Sequence, residues 1–140
     1  MTDSFSPRKR SWIMRRVASK DTSPEILVRS LIHKLGYRFR LHRNDLPGCP
    51  DIVFPSKKKI IFVHGCFWHG HSCSRGARIP KTNTEYWKRK IDKNIARDRQ
   101  NLETLKSMGW ECLVVWECEL KDREKLSGSI STFLEASNNL

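Results

Sequence analysis

Apolar positions along this chain follow two periods. From Leu27 to Leu35 they recur every three or four residues, as Leu27, Val28, Leu31, Ile32 and Leu35, which is the stripe of an amphipathic helix. Thr22-Ser23-Pro24-Glu25 supplies the start signal: Thr22 or Ser23 as cap, Pro24 in the first turn and Glu25 closing a capping box. Gly36 is the stop. Tyr37 to His42 alternates apolar and basic residues, as a strand with one buried face does. The segment Asn44 to Pro50 is turn chemistry. Two continuous apolar runs come next, Asp51–Phe54 and Ile60–Val63, and predict a hairpin of interior strands around residues 55–59. The helical period returns from about Thr84 to Met108, with Trp87, Ile91, Ile95, Leu102 and Leu105 on one stripe and Gly109 ending it. Glu111–Trp116 predicts a further buried strand. Asp122 to about Glu135 predicts a closing helix that buries Leu126, Ile130, Phe133 and Leu134. Helix, three or four strands, long helix, strand and helix make a small α/β domain.

Charge narrows the choice of partner. The 140 residues carry 27 Lys+Arg against 15 Asp+Glu, a formal charge of +12, which points to a polyanion such as DNA, RNA or an acidic membrane surface. No apolar stretch reaches the roughly 20 residues needed to span a bilayer, and the first residues lack a signal-peptide core, so the expected location is the cytoplasm. In a reducing compartment Cys49, Cys66, Cys73, Cys112 and Cys118 are better suited to be metal ligands or buried thiols than disulfides. Residues 1–20 form a basic arm in which Arg15 and Arg16 would meet phosphates, and residues 21–140 form one domain. Lys88 and Lys93, on polar faces of the long helix, are further phosphate contacts.

The chemistry concentrates just after the second strand of the hairpin. His64-Gly65-Cys66-Phe67-Trp68-His69-Gly70-His71-Ser72-Cys73 brings three histidines, two cysteines and two large aromatics together in ten residues. Cys66, His71 and Cys73, with Cys118 beyond a later strand, are a tetrahedral zinc set, against the plainer reading of buried free thiols and a surface histidine. Asp51 enters a buried strand, where a carboxylate can hold Mg²⁺ beside a phosphate, and His64 or His69 could take a proton from the attacking water. Phe67 and Trp68 either cap the core or wedge between base pairs. Asp98 falls on the apolar stripe of the long helix, where a carboxylate is costly unless it is paired or hydrogen-bonded.

The segments SPEILVRSLIHKLGYRFRLHRNDLPGCPDIVF, KKKIIFVHGCFWHGHSC and TEYWKRKIDKNIARDRQNLETLKSMGWECLVVWEC resemble the very short patch repair endonucleases, from about Arg10 to Leu126. HGCFWH and VWEC are the most specific parts. The resemblance implies a restriction-endonuclease-like core, a mixed sheet flanked by helices, with a structural zinc site. It implies a Mg²⁺-dependent, strand-specific endonuclease that nicks double-stranded DNA 5′ of the thymine at T:G mismatches left by 5-methylcytosine deamination. Carried over by position, Asp51 and the backbone carbonyl of Val63 hold Mg²⁺, and His69 is the general base. Glu25, His64 and Asp98 surround the site. Cys66, His71, Cys73 and Cys118 hold zinc. Phe67, Trp68 and Trp87 wedge into DNA, and Met14 enters from the minor-groove side. The histidine run of some members is reduced here to His69-Gly70-His71, which leaves the flanking-sequence preference open. A nick in one strand needs one active site, so a monomer suffices; recruitment of mismatch-repair proteins is left open. Two other readings share the same residues: a restriction-like nuclease acting on matched DNA, and a zinc-stabilised DNA-binding module without catalysis.

Overall fold

The structure is a computed structural model that describes residues 22–67, 69–71, 73 and 80–136. The basic arm, including Met14, Arg15 and Arg16, lies outside the described residues, as does Trp68. Helix α1 (Ser23–Lys34) is followed by strands β1 (Arg40–Leu41), β2 (Ile52–Phe54) and β3 (Lys59–His64). The long helix α2 (Thr84–Ser107) then leads to β4 (Glu111–Trp116), a 3₁₀ turn (Glu117–Lys121) and helix α3 (Arg123–Glu135).

The four strands form one mixed sheet in the order β1-β2-β3-β4. β1, β2 and β3 are antiparallel neighbours, while β3 and β4 run parallel, with Lys59 opposite Glu111 and His64 opposite Trp116. Parallel neighbours need a long crossover, and α2 supplies it. The hairpin strands are interior, as their unbroken apolar runs predict, and alternate residues of each strand serve opposite faces. Ile52, Phe54 and Ile61 join Val28 and Ile32 of α1 and Leu126, Ile130 and Leu134 of α3. Val53, Ile60 and Phe62 join Leu46, Trp110 and Leu105 of α2. The domain is therefore three layers, with α1 and α3 on one side of the sheet and α2 on the other.

Three expectations change in detail. The strand expected over residues 37–42 shrinks to Arg40–Leu41, because only those two residues find partners in β2 and both side chains are exposed at the sheet edge. Leu35 does not join the α1 stripe: it is the C-cap and is exposed, and Gly36 at φ +90 then turns the chain. Thr22 caps α1 by accepting from the amide of Glu25, but the Glu25 carboxylate bonds Arg29 one turn along the helix.

One buried charge ties the sheet to the last helix. Lys59 is 1 % exposed, and its ammonium donates to the carbonyls of Phe133 and Ala136, which α3 leaves unpaired at its C-terminal end. Lys59→Met keeps most of the stem but strands those carbonyls, so the domain should lose about 1–3 kcal/mol of stability in urea unfolding. An unchanged midpoint would mean that the clasp contributes nothing.

Candidate active site and metal centre

β3 carries the site at its C-terminal end. Asp51, at the entrance of β2, accepts the amide N–H of Val63 on its Oδ2 at 2.8 Å. The carboxylate is thereby fixed to the strand beside it, one residue before His64. Val63 packs into the α1–α3 layer, and the His64 ring lies against Phe62 on the α2 side. The strand end thus serves two clusters, one from each face of the sheet.

The first cluster is Asp51, Glu25 and His42, whose ligand atoms lie within 4.8 Å of one another. Glu25 comes from the first turn of α1 and is 6 % exposed. Its Oε2 accepts from Arg29 Nη2 at 2.9 Å and stands 3.7 Å from His42 Nε2. His42 adopts φ +50, and its amide donates to the carbonyl of Asp51 at 3.2 Å, which swings its ring towards α1. Burial, with the charge of Glu25 adding to it, pushes the Asp51 carboxyl up to about 7, against the bond from Val63 and the charge of Arg29. Two crowded carboxylates, Glu25 buried and Asp51 half-buried, beside the backbone of Val63 are a hard-oxygen donor set, and a divalent cation is what would relieve their repulsion.

The second cluster is His64, His69 and Asp98. His69 Nδ1 lies 2.5 Å from Asp98 Oδ2 on α2, which supplies the partner that a carboxylate on that stripe requires. Burial works to raise the Asp98 carboxyl, yet the hydrogen bond from His69 and the charges of His69, His64 and Arg97 hold it below the usual range. An ionised Asp98 only accepts, so Nδ1 of His69 is the donor, and Nε2 is the nitrogen turned away from that bond. The rings of His64 and His69 stack at 3.8 Å with 4° between their planes. Burial, then the neighbouring His69, lowers His64 to about 4, so His64 is neutral at physiological pH. Parallel rings aim their in-plane lone pairs side by side and not at a common point. Beside the cluster, a cleft of about 380 Å³ opens between His69, Asp98, Ile95, Leu102 and Trp116.

The sequence sets Asp51 among Glu25, His64, His69 and Asp98. The structure groups Asp51 with Glu25 and His42, and the two histidines with Asp98, at one strand end. Arg29 and His42 were missed altogether. Arg29 was findable, because a cation four residues after Glu25 faces it on a helix. His42 carries no such signal, since its position depends on a left-handed backbone.

The third cluster is Cys66, His71, Cys73 and Cys118, again with donor atoms within 4.8 Å of one another. Cys118 Sγ is 3.5 Å from His71 Nδ1, and the Cys118 amide donates to Cys66 Sγ at 3.4 Å. Tetrahedral zinc bond lengths require donor separations of roughly 3.5–3.8 Å, so this set fits that ion. Burial, with Cys73 and Cys118 adjoining, pushes the Cys66 thiol up to about 12. Cys49 and Cys112 are outside the cluster; burial raises Cys112 to about 11, as suits a core thiol. Phe67 meets Trp87 edge-on at 5.6 Å, with Tyr86 and the ammonium of Lys90 alongside, while Lys88 and Lys93 are exposed on the same helix.

A sequence model described as DNA mismatch endonuclease Vsr matches residues 2–75. The chain is 53 % identical over 137 residues to the type II nicking enzyme V.XorIIP of Xanthomonas oryzae pv. oryzae, covering 98 % of this chain and 100 % of that one. It is 45 % identical over 140 residues to the type II nicking enzyme V.NmeAIP of Neisseria meningitidis serogroup A, covering 97 % and 99 %. It is 43 % identical over 132 residues to the DNA mismatch endonuclease Vsr of Escherichia coli, covering 94 % and 84 %.

Gly70 holds the second and third clusters in register. It sits at φ +62, and a Cβ there would come within 2.6 Å of Ile95 Cδ1 and 2.8 Å of Ile91 Cγ2. Gly70→Ala should therefore push the loop off α2, costing about 1–3 kcal/mol in denaturant unfolding. It should also shift the His69 imidazole resonances as the bond to Asp98 lengthens. Unmoved resonances would show that the close approach does not position the ring.

Proposed function

The chain belongs to the Vsr family of DNA mismatch endonucleases, and on that premise we propose that it nicks one strand of double-stranded DNA, 5′ of the thymine in a T:G mismatch. The observation that carries this reading is the single strand end of β3, which supports a carboxylate pair, one member buried and one half-buried, on one side and a tethered, stacked imidazole on the other. Nicking appears in the names of two relatives and mismatch recognition in that of a third, and cutting one strand satisfies both. The fold fits a restriction-endonuclease-like core, whose nuclease carboxylates stand at the end of a mixed sheet.

Asp51 and the carbonyl of Val63 would hold Mg²⁺, with Glu25 orienting coordinated water. When bound there, the ion neutralises a phosphate oxygen and makes a coordinated water more acidic. His69 is the general base: Asp98 fixes its tautomer, so Nε2 receives the proton of the attacking water. His64, kept neutral, supports that ring by stacking without adding a second positive charge. The thiols and imidazole of Cys66, His71, Cys73 and Cys118 would hold zinc, which there supplies a cross-link between the loop and the end of β4. Because His69 lies between Cys66 and His71, that cross-link fixes the base as well. Phe67 and Trp87, joined by Trp68, form the wedge that tests how readily a base step opens, while Lys88 and Lys93 meet phosphates. Met14, Arg15 and Arg16 would complete the grip from the arm. No helix among the described residues is long and apolar enough to cross a membrane, in keeping with a DNA-acting enzyme of the bacterial cytoplasm. One site per chain suffices for a monomer.

An end-labelled duplex carrying one T:G pair should be nicked 5′ of the thymine in the presence of Mg²⁺, with the matched duplex left intact. Asp51→Asn should lower the nicking rate by about 1000-fold or more while mismatch binding persists. Equal cutting of the matched duplex would favour a restriction-like nuclease, and no product on any duplex a binding module. Purified protein should contain about one zinc per chain by mass spectrometry, and a chelator or Cys118→Ser should lower the melting temperature by roughly 5 °C or more. A zinc-free protein of unchanged melting point would remove the cross-link from the account.

A further inference from the structure

A guanidinium is built into the carboxylate cluster. Arg29 Nη2 reaches Glu25 Oε2 at 2.9 Å and His42 Nε2 at 3.0 Å. A guanidinium only donates, so His42 must present an unprotonated nitrogen, and its ring there is a neutral anchor that adds no charge. The anchor is itself fixed, because the His42 amide is bonded to the Asp51 carbonyl. An ordinary i,i+4 ion pair on a helix surface would be open to solvent. Here the side chains of Arg29 and Glu25 are 16 % and 8 % exposed.

The charge count then matters. A bound divalent cation holds both Glu25 and Asp51 ionised, a charge of −2 on the cluster that Arg29 reduces to −1. Affinity for a hard cation falls as its surroundings lose negative charge. A partly buried unit charge a few ångströms from a divalent ion is worth roughly tenfold or more in binding. A scissile phosphate arriving beside Asp51 returns the missing negative charge.

We propose that Arg29 makes cation loading conditional on DNA: its charge keeps the free site weak, and the substrate phosphate restores the affinity. This rests on reading Glu25 and Asp51 as the cation site. Linkage makes the effect reciprocal, so cation and phosphate strengthen each other's binding by one factor. Arg29 is in this sense a positioning and charge-setting residue, not a group that touches the reacting atoms.

The test is calorimetric titration of the zinc-replete protein with Mn²⁺, so that binding is read without turnover. It is run on the free protein and with a duplex already nicked 5′ of the mismatched thymine, with or without its 5′-phosphate. Wild type should bind Mn²⁺ about tenfold more tightly when the 5′-phosphate is present. Arg29→Gln should bind Mn²⁺ about tenfold more tightly than wild type in the free protein and gain less from the phosphate. Arg29→Lys, which keeps the charge, should follow wild type. The proposal is overturned if the 5′-phosphate leaves wild-type affinity unchanged, a result that does not depend on any variant folding. It is equally overturned if Arg29→Gln melts like wild type yet binds Mn²⁺ no more tightly. Asp51→Asn separates this proposal from its premise, because retention of full Mn²⁺ affinity by that variant would remove the cation site itself.

Discussion

The hydrogen bond from the Val63 amide to Asp51 is the constraint on which the site is built. It joins the first residue before β2 to the penultimate residue of β3, beyond the last rung that the two strands share. The bond holds the carboxylate against the strand, and its partial burial is the main reason that it resists ionisation. The same bond sets the register of the strand end. Val63 turns its side chain into one layer, His64 turns into the other, and the loop after His64 returns His69 to α2. The first two placements are a consequence of strand alternation acting on one fixed point.

Much of the architecture was legible because it rests on local pattern. β4 runs over the expected residues Glu111–Trp116, and α2 ends where Gly109, at φ +90, could follow it. The interior position of β2 and β3 follows from their unbroken apolar runs. The illegible parts depend on partners distant in sequence. The length of β1 is decided by how much of β2 remains to pair, and the 3₁₀ turn after Trp116 by a Glu119 carboxylate that accepts from the Trp116 amide. Asp98 shows both cases. Its place on an apolar stripe marked it as needing a partner, but only the folded chain brings His69 there. His42 had no local signature, since its orientation comes from a left-handed backbone and a bond to Asp51.

The three clusters are mechanically connected. The loop from Gly65 to His71 is closed by its own backbone bonds, His69 to Gly65, Gly70 to Phe67 and His71 to Cys66. Gly70 lets that loop lie on Ile91 and Ile95, about two turns and one turn before Asp98 on the same helix. His71 stacks on Trp116 at 4.1 Å, so the last residue of β4 also supports it. A shift at the cysteines would therefore reach His69 through this short loop.

The parallel pairing of β3 with β4 has a further bearing on biosynthesis. Cys66 waits for Cys118, 52 positions later, and His69 waits for Asp98. On the ribosome the hairpin emerges first, yet it holds neither the complete thiol set nor the tethered imidazole until α2 and β4 have followed. A truncated or still-growing chain thus lacks both the complete set of Cys66, His71, Cys73 and Cys118 and the His69–Asp98 pair.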